Sequence, residues 1–294
     1  MKKIGFIGVG NMGGPMARNL KSAGHSVTAF DLSSNSLKIL AADGVTSANS
    51  IAEAVQEADI VITMLPEGKH VADVYQSDVF AAAGTNAVLI DCSTIDVKTS
   101  RAVHADAAAK GYKMLDAPVS GGVGGATKGS LTFMVGGSEA VLDNTRGLFE
   151  IMGANIVYCG DAGAGQAAKM CNNMMLGAQM VSVAEAFVLA EKLGLDHQKL
   201  FDVASTASGQ CWSLTTYCPV PGPVPTSPAN NNYAAGFAAA MMLKDLNLAM
   251  GAAQETGAKL SLAAEATRLY EHFSDNVSID TDFSGIIEML RQQS

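Results

Sequence analysis

The sequence predicts an α/β domain built on a doubly wound parallel sheet, followed by an all-α domain, the two joined by one long helix. Three observations predict it. Short apolar runs alternate with helix-period segments through the first half, as strand–helix–strand crossovers require. A glycine-rich turn follows the first apolar run and opens a helix. After about Gly160 the strand pattern stops, and long Ala-, Met- and Leu-rich segments replace it. A chain of 294 residues holds two such domains, and the change of pattern places their boundary between residues 162 and 163.

The elements follow in order. Ile4–Ile7, Ser26–Phe30, Ile60–Met64, Ala87–Ile90 and Lys113–Leu115 are short apolar runs that predict buried strands. Met12–Ala23 and Ser50–Gln56 have helical periodicity, and Ser50 with Glu53 forms a capping-box pair. Gly165–Leu193 contains no proline and ends before Gly194, a residue suited to a helix C-terminus. It predicts a helix of roughly 28 residues, near 42 Å at about 1.5 Å per residue, long enough to pass from one domain into the next. Ala238–Thr256, Ser261–Phe273 and Phe283–Arg291 complete the helical half.

Composition narrows the function classes. Hydrophobic residues make up 48% of the chain and charged residues 16%, so a substantial core is available. A net charge of -9 without clustered Lys and Arg excludes a general nucleic-acid binder and an anionic membrane surface as partners. The uncharged stretch between Asp202 and Lys244 is broken by prolines and asparagines and is not a membrane span. An apolar strand pattern begins at once, without a leader pattern, which leads us to expect a cytoplasmic protein. The five cysteines, Cys92, Cys159, Cys171, Cys211 and Cys218, show neither C-x-x-C nor zinc spacing. The expectation is five buried or half-buried free thiols and no metal.

Gly8-Val9-Gly10-Asn11-Met12-Gly13 reads G-x-G-x-x-G after a strand and before a helix, the Rossmann-type dinucleotide context. Gly8 permits the tight turn, Gly10 lets a pyrophosphate approach the backbone, and Gly13 allows close helix–strand packing at a helix N-terminus that favours anions. Asp31, 18 residues after Gly13, ends the second strand. An acid there accepts hydrogen bonds from ribose hydroxyls and repels a 2′-phosphate, so the expected cofactor is NAD rather than NADP. Leu65 and Pro66 follow the next predicted strand, and Thr94 the one after; Thr94 either reaches the nicotinamide end or caps the following helix.

Asp116-Ala117-Pro118-Val119-Ser120-Gly121-Gly122 follows another strand. Adjacent glycines after a serine expose backbone N–H groups that cradle a small carboxylate, or else form an ordinary turn. Lys169 and Asn173 lie four apart on the long helix, on one face. A lysine on an apolar helix is costly to bury unless it is used, and desolvation suits its amine to acid–base work; the alternative is a surface lysine whose stem snorkels. Trp212, the only tryptophan, is a packing anchor or a pocket wall.

Four motifs in this order, Phe6 through Gly13, Asp116 through Gly122, Gly163 through Asn173, and Lys244-Asp245-Leu246, resemble the β-hydroxyacid dehydrogenase family across essentially the whole chain. The resemblance implies that Lys169 is catalytic. It implies that Ser120, Gly121, Gly122 and Asn173 grip a substrate carboxylate, that Lys244 lies near the nicotinamide and that Asp245 orders the site. Leu65, Pro66, His70 and Thr94 map onto cofactor contacts. Cys211-Trp212-Ser213 and Tyr217 resemble the branch that acts on 3-hydroxyisobutyrate. The implied activity is oxidation of a small 3-hydroxy acid with NAD, by a homodimer or homotetramer. L-serine dehydrogenation and tartronate semialdehyde reduction are the nearby alternatives, and a non-catalytic NAD-binding protein is the alternative outside enzymes.

Overall fold

The computed structural model describes residues 1–277 and 281–293. The chain divides into two compact units, Met1–Lys169 and Met170–Ser294.

Among the described residues the first unit holds a nine-stranded sheet. Its strands are β1 (Lys3–Ile7), β2 (Ser26–Phe30), β3 (Thr46–Ser47), β4 (Ile60–Thr63), β5 (Val88–Asp91), β6 (Lys113–Asp116), β7 (Val119–Ser120), β8 (Leu131–Gly137) and β9 (Gly153–Gly160). The order β3-β2-β1-β4-β5-β6 is wholly parallel and reverses direction on either side of β1, which places a crevice at the carboxyl ends of the strands. Register aligns those ends: Ile7 is opposite Phe30 and Thr63, Thr63 opposite Asp91, and Asp91 opposite Asp116. Polar side chains at the tips of otherwise apolar strands thus form one row.

The sheet is parallel through β6, as the sequence predicts, and continues beyond it. β8 runs antiparallel to β6 and β7, and β9 extends the sheet parallel to β8. Two cores cover its faces. One gathers Ile4, Phe6, Met16, Ile62, Phe133 and Phe149, and the other Val61, Tyr75, Leu89, Val103 and Met114.

Helix boundaries follow local chemistry. The first helix runs over Gly13–Ser22. Ser50 caps Ile51–Val55 by accepting from the Glu53 N–H at 3.1 Å, while the Glu53 carboxylate reaches back to the Asn49 N–H at 2.8 Å. The long helix spans Ala164–Lys192 and stops before Gly194, whose φ of +72° ends it. By length and composition alone it would cross a membrane. It nevertheless carries Lys169, Glu185, Glu191 and Lys192, which hydrocarbon penalises.

The second unit is helical, as expected. Beyond the long helix it contains His197–Ala204, Trp212–Thr215, Ala239–Thr256, Ser261–Asp275 and Ile286–Gln293. The last begins as a tight 3-10 turn over Phe283–Gly285 rather than as one continuous helix from Phe283. Two isolated bridges, Ala234 with Thr281 and Ala238 with Asp282, are its strand-like pairings among the described residues. Its core holds Met180, Phe187, Met242, Leu246, Tyr270, Phe273 and Ile286. A Cβ on Gly177 would lie 3.0 Å from Leu246, so glycine there lets Ala239–Thr256 approach closely.

The five thiols are free. The expectation that all are at least half-buried fails at Cys171, which is exposed. Two residues beyond buried Lys169, at about 100° of helical turn per residue, it points away from the buried face.

The start of the long helix yields a stability test. A Cβ on Gly165 would come within 2.2 Å of the Met134 carbonyl oxygen and 2.8 Å of Asp116 Oδ2, whereas one on Gly251 meets open space. In urea denaturation, Gly165→Ala should destabilise by about 1–3 kcal/mol through overpacking, although alanine favours helix. Gly251→Ala should stabilise by about 0.5–1 kcal/mol. Equal effects of the two substitutions would contradict the close approach at Gly165.

Candidate functional site

The glycine turn leaves β1 at Ile7. Gly8 has a φ of +88°, its N–H donates to Phe30 O at 3.0 Å, and a Cβ there would strike Met64 O at 2.3 Å. A Cβ on Gly13 would lie 2.0 Å from Gly8 O, so the helix packs directly against the turn. Gly10 is exposed and a Cβ on it would meet nothing within 4 Å. Asn11 is exposed and Met12 half-buried. The Gly14 N–H donates to Gly10 O at 2.9 Å, but Met12 provides no side-chain cap and the first helical turn contains no acid to offset the positive dipole end. A forced turn, an open glycine and an uncapped helix start fit a dinucleotide pyrophosphate.

Asp31 has a second task that its spacing did not reveal. Oδ2 accepts from the Val9 N–H at 2.7 Å and Oδ1 from the Ser33 N–H at 2.7 Å. The carboxylate braces the glycine turn, and each oxygen retains acceptor capacity for a ribose hydroxyl.

Beneath the crevice lies a buried polar row. Asp91 Oδ1 accepts from the Thr63 hydroxyl at 2.7 Å and from the Ser93 hydroxyl at 2.6 Å. Ser93 Oγ in turn accepts from the Leu65 N–H at 2.8 Å, and Tyr75 OH lies 3.2 Å from Thr63 Oγ1. Burial pushes the Asp91 carboxyl above its ordinary range, with the Ser93 and Thr63 hydrogen bonds opposing the rise. This row fixes the segments that carry half-buried Leu65, exposed Pro66 and half-buried Thr94. His70 sits half-buried in the helix Gly68–Val74, its Nδ1 enclosed and without a hydrogen-bond partner.

Lys169 is buried at 7% exposure, and its Nζ donates to Val119 O at 2.8 Å. Val119 immediately precedes Ser120, Gly121 and Gly122. The two glycines have φ values of +136° and +61°, a pair of conformations that side chains disfavour, and they open the short helix Gly122–Lys128. The structure therefore brings Lys169 against the Ser-Gly-Gly segment.

The helix start that presents Lys169 is held by residues the sequence reading did not single out. Asp116, fully buried at the tip of β6, accepts from the Gly163 N–H at 2.8 Å and from the Gln166 N–H at 3.0 Å. His104 Nε2 lies 3.1 Å from Asp116 Oδ1, off the hydrogen-bonding direction. The buried Gln166 side chain donates to Ser93 O at 2.7 Å and accepts from the Ile95 N–H at 3.1 Å. A glutamine one turn before the lysine was the available signal.

In the second unit, buried Asn173 donates to Asp245 Oδ2 at 2.5 Å and accepts from Asn172 at 2.9 Å. Lys244 Nζ lies 3.5 Å from Asp245 Oδ1. Asn173, Asp245 and Lys244 thus form one cluster. Tyr217 donates its hydroxyl to Asp282 Oδ2 at 2.8 Å and stacks on Trp212 and Phe283, with centroids 4.9 and 5.3 Å away. Burial and Asp282 push the Tyr217 phenol far above its ordinary range, so it remains a neutral donor. Trp212 is 46% exposed. Among the described residues no group of three or more His, Cys, Asp or Glu side chains is placed to share a metal ion.

Comparison with known proteins shows the family. Residues 3–160 match the family described as the NAD binding domain of 6-phosphogluconate dehydrogenase. Residues 163–290 match the one described as NAD-binding of NADP-dependent 3-hydroxyisobutyrate dehydrogenase. The chain is 53% identical, over all of its length and 99% of the relative's, to a probable 3-hydroxyisobutyrate dehydrogenase of Mycobacterium tuberculosis. It is 43% identical to the NAD-dependent L-serine dehydrogenase of Pseudomonas aeruginosa, covering 97% of this chain and 96% of that one. The solved structure of Mycobacterium tuberculosis 3-hydroxyisobutyrate dehydrogenase with L-serine superposes with a TM-score of 0.95 at 52% identity, covering 99% of each chain. The family that the four motifs resemble is therefore the family to which this chain belongs, that of the β-hydroxyacid dehydrogenases.

Proposed function

We propose that the protein oxidises a small 3-hydroxy acid with NAD, and that 3-hydroxyisobutyrate is the substrate, giving methylmalonate semialdehyde. The observation that carries this reading is the buried Lys169 amine bonded to Val119 O, beside the Ser120–Gly122 backbone and in the unit that bears the glycine turn. Gly8, Gly10, Asn11, Met12, Gly13 and Asp31 would hold the cofactor's adenosine and pyrophosphate. Leu65, Pro66, His70 and Thr94 would serve its nicotinamide portion. Bound NAD supplies the hydride acceptor.

The chain's own residues do the rest. The N–H groups of Ser120 to Gly122 hold the substrate carboxylate. The bond to Val119 O fixes the direction of the Lys169 amine. Its Nζ takes the hydroxyl proton as C3 loses hydride, leaving an aldehyde, and returns that proton in the reverse reaction. Asp245 orders Asn173 and Lys244. Trp212, braced on Tyr217, walls the substrate side, and Tyr217 acts through that stack because Asp282 already engages its hydroxyl.

L-serine is the second reading, supported by the name of the Pseudomonas relative and by the L-serine that accompanies the mycobacterial enzyme in its solved structure. It carries the same carboxylate and 3-hydroxyl and differs in its C2 substituent. An assay of 3-hydroxyisobutyrate, L-serine and tartronate semialdehyde by NADH absorbance decides between them. We further read residues 1–162 and 163–294 as the cofactor and substrate domains of a cytoplasmic homo-oligomer. The exposed Leu189, Leu193, Val203 and Leu262 support self-association.

Two outcomes test this reading. Lys169→Ala should lower kcat by about 10²–10⁴-fold while the NAD dissociation constant moves by no more than about threefold; near-normal turnover would refute the role of Lys169. NAD should exceed NADP in kcat/KM by about tenfold or more, and Asp31→Asn should shrink that ratio, because the carboxylate repels a 2′-phosphate. Equal use of both cofactors by the unaltered enzyme would refute the role of Asp31.

A further inference from the structure

We propose that Gln166 is a positioning residue, which sets Lys169 against the segment carrying Thr94. The inference rests on the catalytic reading of Lys169 given above. Gln166 has no exposed surface, and both ends of its amide are used. Nε2 donates to Ser93 O at 2.7 Å, and Oε1 accepts from the Ile95 N–H at 3.1 Å. These partners flank Thr94 on either side. Because a carbonyl oxygen must accept and an amide N–H must donate, only one orientation of the side-chain amide satisfies both.

The same residue's backbone N–H donates to Asp116 Oδ2 at 3.0 Å. Asp116 begins the segment that leads through Val119, the acceptor of the Lys169 amine, to Ser120. Gln166 therefore ties three pieces of backbone together: the first turn of the long helix, the loop after β5 and the end of β6. Lys169 lies three residues further along the helix, on nearly the same face. A rotation or slide of the helix that displaced Lys169 would break both side-chain bonds of Gln166. An apolar side chain of equal length would fill the volume yet permit such sliding, since dispersion contacts have little directionality.

The bland alternative is that Gln166 satisfies two buried backbone groups and contributes to stability alone. Catalysis distinguishes the two. Gln166→Met keeps length and burial and removes both bonds, whereas Gln166→Glu keeps the acceptor for Ile95 and removes the donor to Ser93. Both are compared with Lys169→Ala and with the double variant Lys169→Ala/Gln166→Met, well below their unfolding temperatures and at saturating substrate and NAD.

Gln166→Met should lower kcat by about tenfold or more with a smaller change in KM, and C3-deuterated substrate should show a larger isotope effect on kcat as the hydride step becomes limiting. Gln166→Glu should fall between it and the unaltered enzyme, which keeps the proposal testable if Gln166→Met does not fold. In the Lys169→Ala background, Gln166→Met should change the residual single-turnover rate by less than about twofold, because its effect passes through the missing amine. Unchanged kcat and isotope effect in both single variants, or a full tenfold further loss in the double variant, would overturn the proposal. Near-normal turnover of Lys169→Ala would instead overturn the catalytic reading of Lys169.

Discussion

The first unit depends on one buried carboxylate at the start of one helix. Asp116 has no exposed surface and receives the Gly163 and Gln166 N–H groups at 2.8 and 3.0 Å, where the long helix would otherwise begin with unsatisfied donors. A negative charge at a helix N-terminus is stabilised by the aligned peptide dipoles, and its charge-assisted hydrogen bonds are stronger than neutral ones. Space for this contact is made by glycine: a Cβ on Gly136 would lie 2.5 Å from Asp116 Oδ1, and one on Gly165 2.8 Å from Oδ2. With the helix start fixed to the tip of β6, Gln166 reaches Ser93 and Ile95, and Lys169 reaches Val119.

Burial of the polar groups that organise the site is tolerable because they are paired with one another. Asp91 collects two hydroxyls, Gln166 uses both ends of its amide, and Asn173 both donates and accepts within the cluster containing Asp245. Satisfied networks of this kind impose direction, which an apolar lining does not. Asp282 plays the corresponding part in the second unit. Its Oδ2 accepts from Tyr217 OH and from the Gly236 and Phe237 N–H groups, while its Oδ1 accepts from the N–H and hydroxyl of Ser284. The aromatic stack under Trp212 is thereby held from below.

The sequence made the cofactor half of the fold legible through local signals. The apolar runs that become β1, β2, β4, β5 and β6 are each bounded by turn residues, and the glycine turn sits where a strand passes into a helix. β8 and β9 were not legible. Leu131–Gly137 is buried almost throughout and so shows no alternation, and a short apolar run of that kind has no period that identifies it as a strand. Lys169 stood out because an ammonium on an apolar helix needs a reason. Gln166 and Asp91 did not: Ser93 is 73 residues from Gln166, and Thr63, which joins Asp91 to the neighbouring strand, is 28 residues from it. Tyr217 was legible as a site residue only by resemblance, since Asp282, its hydrogen-bond partner, lies 65 residues away.

Amide hydrogen exchange in Asp116→Asn tests the central claim most directly. Asparagine keeps the shape and one acceptor but loses the charge and the second acceptor. Exchange over residues 163–169 should accelerate by about tenfold or more, with the β1 and β2 amides unchanged. Unaltered protection at 163–169, or an equal loss across the whole sheet, would contradict the account.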